Sequence, residues 1–572
     1  MPTLRQVFPL LAAVPLACIP PPLEGCADAA GCETDPVSTG ALATSISTST
    51  TGDASPTSDA TAITGQGGEA TSDALTGDST TGGGTTGSST DATTGDASTS
   101  STGGEALPPK VLAVDMPAKV SIAGPYAFTA VTEHAAFTHA KLDGVDLGLL
   151  TDEGDGVFSG VVKIYGSVDA GGHVLEVVAK NGDLSDALGV QFDVSTPAPG
   201  SPAWTMSGPT GSRTRRVAIT ADGDVFEVGT RELGGVARPA IRKRSGITGA
   251  ELWPGGTIVL DNHQGEAVDV AVAPDGRLWV AMNVAETLNK WRPRIVQLDA
   301  AGKPTGVEVP TAVGQTVTGL DSDGFGGCFA VGVVGSGFGD ADVVVWRMTG
   351  AGVPVLSGKA WDYVPPGFPV PHSFSDFATD IVVQEGAAWV VGFSYGKHGG
   401  DPVHTRGLLV HMDVDTGMVL DPVIIAPASN PWRQSMIYGA ATHPDGVLVT
   451  GTGCNDACDV QRVETALYTA AGTRSWFRPE PSAALARGNA VAVGEHDVVI
   501  VAATVQEGTV LGGHVLGRVL YNNNELFSAP FPASKEPSEA VGAAVGPFDR
   551  IYVGGHRTFG GIPEAWALHL HP

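Results

Sequence analysis

Val268-Asp269-Val270-Ala271-Val272-Ala273-Pro274-Asp275-Gly276-Arg277-Leu278-Trp279-Val280-Ala281 is a short apolar run, an Asp-Gly turn and a second short apolar run. β-Formers on either side of Asp-Gly predict a hairpin, because that dipeptide accepts the turn geometry that twisted strands need. Soon afterwards Arg294-Ile295-Val296-Gln297-Leu298 adds a third strand, closed by the small-residue turn Asp299-Ala300-Ala301-Gly302.

The same phrase recurs to the end of the chain. First strands with their turns occupy 217–223, 268–276, 317–324, 379–386, 438–446, 490–497 and 540–549. Third strands follow at 240–243, 294–298, 343–348, 408–412, 465–468, 515–520 and 565–570. Fourth strands read at 251–253, 474–477 and 525–527, each with an aromatic residue: Trp253, Trp476 or Phe527. The turn-to-turn spacing of about fifty to sixty residues suits one four-stranded propeller blade per repeat. Seven repeats predict an all-β chain whose residues 200–572 form a seven-bladed β-propeller. The last repeat stops at Pro572 with three strands. Ala203-Trp204-Thr205-Met206, ahead of the first repeat, carries a Trp at the fourth-strand position. It is expected to complete blade seven against 565–570, so that no strand edge stays open.

Upstream, residues 107–197 hold about seven short strands separated by turns, which predicts an Ig-like antiparallel β-sandwich. Its closing phrase, Gly172-His173-Val174-Leu175-Glu176-Val177-Val178-Ala179 and then Phe192-Asp193-Val194, resembles the last strands of bacterial immunoglobulin-like domains. There is no inter-sheet Cys pair. Its expected role is a spacer or adhesive module.

Residues 18–106 are expected to be a disordered low-complexity tether. From 33 onward they are Thr, Ser, Gly, Asp and Ala, with no aromatic residue between Phe8 and Tyr126 and no Lys or Arg between Arg5 and Lys110. Such a segment cannot bury enough apolar surface to offset chain entropy. A coil of about 70 residues reaches roughly 45 Å. Residues 1–17 carry one Arg and the apolar run Val7-Phe8-Pro9-Leu10-Leu11-Ala12-Ala13-Val14-Pro15-Leu16-Ala17, which suits a signal peptide and is too short to cross a bilayer. Leu16-Ala17-Cys18 resembles a bacterial lipobox, which implies acylation at Cys18; Pro15 departs from its pattern, and plain secretion is the alternative. The expected location is the cell envelope, outer membrane or extracellular space, with the membrane reached through the lipid.

Taken together, lipobox, Thr/Gly/Asp tether, Ig-like module and the phrase Val-Ala-x-x-Pro-Asp-Gly-x-x-x-Val-x-Gly resemble the surface lipoproteins of myxobacterial type that carry bacterial seven-bladed propeller repeats (the SBBP and delta-60 type). The resemblance implies fold far more than function.

A net charge of −29 argues against a nucleic-acid partner, since phosphate binding needs clustered Lys and Arg. Six cysteines are sparse. Under export, Cys26 with Cys32 and Cys454 with Cys458 are each placed for a local disulfide; free thiols in one loop are the alternative for the latter pair. No Cys/His spacing suits zinc. Asp321-Ser322-Asp323-Gly324 begins like a calcium loop but lacks its later ligands and stands where other repeats turn. Asp413-Val414-Asp415-Thr416-Gly417 has the same reading. His569 and His571 share a strand face with no third ligand. Thr248-Gly249-Ala250-Glu251-Leu252-Trp253 occurs once, whereas quinone-dependent propellers repeat such a phrase. There is no Gly-x-Ser-x-Gly elbow and no phosphate loop. No catalytic residue, metal ligand or cofactor is therefore expected.

The longest loops flank blade four, on the face that joins strands two to three and blade to blade. They carry Trp361, Tyr363, Phe368, His372 and Phe374, then Tyr395, Lys397 and His398, then Trp432 and Arg433. Aromatic residues among polar neighbours suit a glycan or protein ligand; packing within their own loops is the competing reading. The function expected is non-enzymatic binding at the cell surface. The alternative is a propeller lyase or glycosidase acting on extracellular polysaccharide, which would place two carboxylates, or His with Tyr or Arg, at the channel mouth.

Overall fold

The computed structural model describes residues 107–572 apart from 166–168, 196, 288–289, 336–340, 362–374, 385, 398–402, 426–433, 456–457, 523 and 532–535. The signal segment, the tether, Cys18, Cys26 and Cys32 lie outside the described residues.

The first unit is a β-sandwich. Lys110–Asp115, Gly124–Glu133, Val157–Ile164 and Thr151–Gly154 form one sheet. Lys119–Val120, Leu184–Val194, Gly171–Asn181, Phe137–Leu142 and Val145–Leu149 form the other. Alternate residues turn inward, so Phe128, Ala130, Val162, Ile164, Leu175, Val177 and Phe192 fill the space between the sheets.

Seven four-stranded antiparallel sheets follow and close into a seven-bladed β-propeller. The inner strands are Ser212–Ile219, Gly265–Val272, Gln315–Ser322, Ser375–Gln384, Gln434–His443, Ala486–Val493 and Ser538–Val545. Both faces of each blade are covered by neighbours, which explains why inner strands such as Ala486–Val493 are buried at every position. Blade seven takes its outer strand from the start of the propeller: Pro202–Thr210 pairs with Ile562–Leu570, with Trp204 opposite His569, Met206 opposite Ala567 and Ser207 opposite Trp566. The Trp204 ring packs on Tyr552 and His569.

One strand departs from expectation. Blade one's fourth strand is Thr257–Val259, not 251–253. Pro254 follows Trp253, and Gly255 and Gly256 both adopt positive φ, so the chain turns before pairing is established. Glu251 keeps a single bridge to Arg244, and Trp253 still fills the core.

Each inner strand carries a one-residue bulge at the same place. The extra residues are Arg215, Val268, Thr318, Thr379, Tyr438, Asn489 and Val541. A bulge bends a strand and re-aims its side chains, so the residues around it set what lines the axis.

Candidate functional site at the channel mouth

Just past the bulge stand Arg216, Asp269, Gly319, Asp380, Gly439, Ala490 and Gly542, one per blade. Four small residues leave room for three large ones. Arg216 Nε donates to Asp269 Oδ1 at 2.9 Å, and its Nη2 lies 3.9 Å from Asp380 Oδ1 on blade four; all three side chains are wholly buried. The guanidinium therefore spans from blade one to the far side of the ring and closes the axis. Asp269 also accepts from Leu320 N of the next blade, and Asp380 from Ala440 N of its next blade. Asp321 similarly accepts from Val383 N at 2.8 Å. These carboxylates act as staples between blades. Burial pushes Asp380 well above the ordinary carboxylate range, with Arg216 opposing and Asp269 reinforcing the shift.

Two residues before the bulge, toward the loop face, the register holds Arg213, Glu266, Thr316, Phe377, Met436, Arg487 and Glu539. With bulge residues Arg215 and Tyr438 and with His556 from blade seven, they form a charged arc and an aromatic arc. Arg215 pairs with Glu266 at 2.9 Å, and Arg487 Nη2 lies 3.7 Å from Glu539. The Arg487 guanidinium sits 5.1 Å from the centroid of the Tyr438 ring. Phe377 and Phe393 stack at 4.9 Å, and Phe393 meets Tyr438 edge-on at 6.4 Å.

Electrostatics bind the charged arc together. Burial works to raise the pKa of Glu539, but His556, Arg487, Arg215 and Arg213 outweigh it and bring the carboxyl below its ordinary range. His556 is pushed down to about 4 by burial, so it is neutral near pH 7. Burial, then the like charge of Arg215, work against the charged state of Arg213, and Glu266 and Glu539 only partly offset them. Burial likewise disfavours the charge of Arg487.

The sandwich occupies the opposite face. Arg550 Nη2 donates to Ala123 O at 2.9 Å, and the Tyr165 ring meets His496 at 4.3 Å and Phe548 at 5.7 Å. These propeller residues lie at the strand one-to-two turns of blades six and seven. Those turns are at the other end of the inner strands from the charged arc.

Of the residues that sequence reading placed in the ligand face, three fall within the described structure: Trp361, Tyr395 and Lys397, the last ending blade four's second strand opposite Val403. Trp361 ends blade three's outer strand and packs, half-buried, against the core shared with blade four. Tyr395 pairs with Ser375 and Thr405 near the loop end of blade four and is also half-buried. Tyr363, Phe368, His372, Phe374, His398, Trp432 and Arg433 lie outside the described residues. Cys454 and Cys458 form a disulfide, and they cluster with Met436, Phe393 and Tyr438 beneath the aromatic arc. Cys328 is a buried thiol. Asp321 and Asp323 stand at a turn, where Asp323 Oδ1 accepts from Phe325 N and Gly327 N. Among the described residues no group of three or more His, Cys, Asp or Glu is placed to hold a metal ion.

Sequence reading missed Arg213, Arg215, Glu266, Arg487, Glu539 and His556. The signal was available: aligning the repeats on their first strands puts a charge at one position in four of the seven.

No protein-family model and no curated protein matches this chain. Similar solved structures include a subtype N10 neuraminidase-like protein of A/little yellow-shouldered bat/Guatemala, at 8% identity and TM-score 0.33 over 53% of this chain and 92% of that one. A T136A mutant of the Synechocystis apocarotenoid oxygenase matches at 10% identity and TM-score 0.35, over 74% and 96%. A protein of unknown function from Dyadobacter fermentans matches at 13% and 0.35, over 54% and 96%. Likeness at this level bears on neither ligand nor mechanism.

Proposed function

We propose that this chain is an exported, lipid-anchored surface protein whose propeller binds extracellular polysaccharide without turning it over. The carrying observation is the mouth of the channel: an arc of guanidinium and carboxylate groups beside an aromatic arc, at the face not covered by the sandwich. Beneath it, the wholly buried side chains of Arg216, Asp269 and Asp380 meet across the axis. Cys18 holds the acyl chains, residues 18–106 form the tether, and the Ig-like sandwich docks on the turn face. The surface-lipoprotein resemblance and the disulfide beneath Phe393 and Tyr438, which suits an oxidising compartment, support the same reading.

A second reading is a polysaccharide lyase or glycosidase. One observation favours it: Glu266, Glu539 and His556 share the mouth with Arg215 and Tyr438, a set that includes a potential acid and base. Incubating the full chain with a panel of acidic and neutral polysaccharides separates the two. Retention of polymer with no new reducing ends and no unsaturated product is expected. Product formation that Glu539→Gln abolishes would replace binding with catalysis.

A further inference from the structure

The charged arc is not balanced. Three guanidiniums (Arg213, Arg215, Arg487) face two carboxylates (Glu266, Glu539), and His556 is neutral. One positive charge is left over in a chain of net charge −29. It is not spread evenly. Arg215 is satisfied by Glu266. Arg487 is 3% exposed and its Nη1 has no hydrogen-bond acceptor among the described residues. Arg213 makes no side-chain hydrogen bond or ion pair among the described residues and is only half-buried. A buried guanidinium N–H without an acceptor is costly; Arg487 keeps one such N–H, and Arg213, which like Arg487 acts on Glu539, has no partner among the described residues, which marks a place prepared for an acceptor.

The surplus is a single charge, which suits a monovalent anion better than a phosphate monoester. Planar forks match a carboxylate with two parallel N–H···O bonds. Across the ring from blade one, Phe377 and Phe393 of blade four and Tyr438 of blade five present stacked ring surface, which suits the apolar face of a sugar ring. The disulfide of Cys454 with Cys458 packs behind that surface and fixes it.

We propose that the mouth binds a uronate residue of an acidic polysaccharide, its carboxylate held by Arg213 and Arg487 and its ring lying against Phe377, Phe393 and Tyr438. This rests on the binding reading above and gives it a ligand class. Glu266 and Glu539 keep Arg215 and Arg487 in place and repel a second negative charge, so one carboxylate is accepted and a densely charged group is not.

The test is calorimetric titration of the full chain with short oligogalacturonates, their methyl esters and a sulfated neutral oligosaccharide. Only the free-acid form should bind well, with the ester and the sulfated sugar at least tenfold weaker. Arg213→Ala should weaken binding about tenfold or more while changing the melting temperature little, since this side chain makes no hydrogen bond or ion pair among the described residues. Tyr438→Ala should weaken acid and ester forms alike. Equal binding of acid and ester, or indifference to Arg213→Ala, would overturn the uronate assignment and leave the binding module standing. Preference for the sulfated sugar would overturn it in favour of sulfate. If no polysaccharide of the wider panel binds, the binding reading itself fails.

Discussion

Trp204 lies opposite His569, joining the first strand of the propeller to the last. Its indole Nε1 donates to Gly246 O of blade one at 2.9 Å, and Tyr552 Oη donates to the same carbonyl at 3.2 Å. One side chain thus ties blade seven's outer strand to its own sheet and to the neighbouring blade. A Trp buried to 8% exposure and removed should cost about 3–5 kcal/mol. Trp204→Ala should therefore lower the melting temperature clearly, and deletion of residues 201–207 should also promote self-association through the bared edge. Phe325→Ala, which removes an exposed ring at a turn of blade three, should do neither. Calorimetry and light scattering check both; equal effects would refute closure as a stabilising device.

The buried Arg216, Asp269 and Asp380 should not be interchangeable. Asp269 accepts directly from Arg216, so Asp269→Asn leaves a buried guanidinium uncompensated and should cost about 3 kcal/mol or more. Burial raises the pKa of Asp380 well above the ordinary carboxylate range, and its contact with Arg216 is longer, at 3.9 Å, so Asp380→Asn should be better tolerated than Asp269→Asn. The sign follows from linkage: stability from a carboxyl with a raised folded pKa is full below the unfolded value near 4 and declines as pH rises toward the folded one. Asp380→Asn should remove that decline, so the variant should gain on wild type as pH rises above about 4. Denaturant unfolding at several pH values measures this. Equal penalties for the two Asn variants would contradict the assignment.

His569 titrates in the opposite sense. Burial, helped by His571 and Arg550, lowers it to about 3. Its neutral form is the folded one, so its contribution is full above the unfolded pKa near 6.5 and is lost progressively as pH falls from there toward 3. His569→Phe keeps the ring stacked on Tyr552, which stands 4.7 Å away, and removes the titration. The variant should lose less stability than wild type between pH 7 and pH 4; identical slopes would rule out His569 as a source of acid sensitivity.

Inner-strand glycines set the spacing at the axis. A Cβ on Gly542 would stand 2.9 Å from Val217 N, and one on Gly319 2.8 Å from Asp380 Cα. Gly542→Ala and Gly319→Ala should each destabilise the propeller by about 1–3 kcal/mol through overpacking. Gly276→Ala has open space around it but strained positive φ, and should cost about 1 kcal/mol. Urea unfolding ranks them; a harmless Gly542→Ala would mean the blades are less tightly apposed.

Acylation at Cys18 is checked by metabolic labelling with a fatty-acid probe. Label on the wild-type chain and none on Cys18→Ala is expected. Equal labelling would refute the lipid anchor, and no label on either would leave plain secretion.

The blades were legible because the repeated phrase is local: Val268 to Ala281 spells its own hairpin, and Trp204 was recognisable as a fourth-strand aromatic without a blade. Blade one's outer strand was misplaced because Trp253 looked like its counterparts, while Pro254 and the two glycines after it decided the pairing. The mouth was not legible for a different reason. Arg213 and Glu539 influence one another although more than three hundred residues separate them, and only ring closure brings them together. Each reads alone as an ordinary charge at a strand start. Loop length alone points to Trp361 and does not say where its ring lies; half-buried, it packs against the core shared with blade four.

Hydrogen–deuterium exchange of the full chain, with and without the polysaccharide it binds most tightly, locates the functional surface most directly. Slowed exchange is expected in peptides covering 212–216, 434–438, 486–489 and 538–541, the inner-strand starts that form the mouth. Protection confined to the turns at 220–224, 494–498 and 546–550, or to the sandwich at 124–165, would contradict it and place binding on the opposite face.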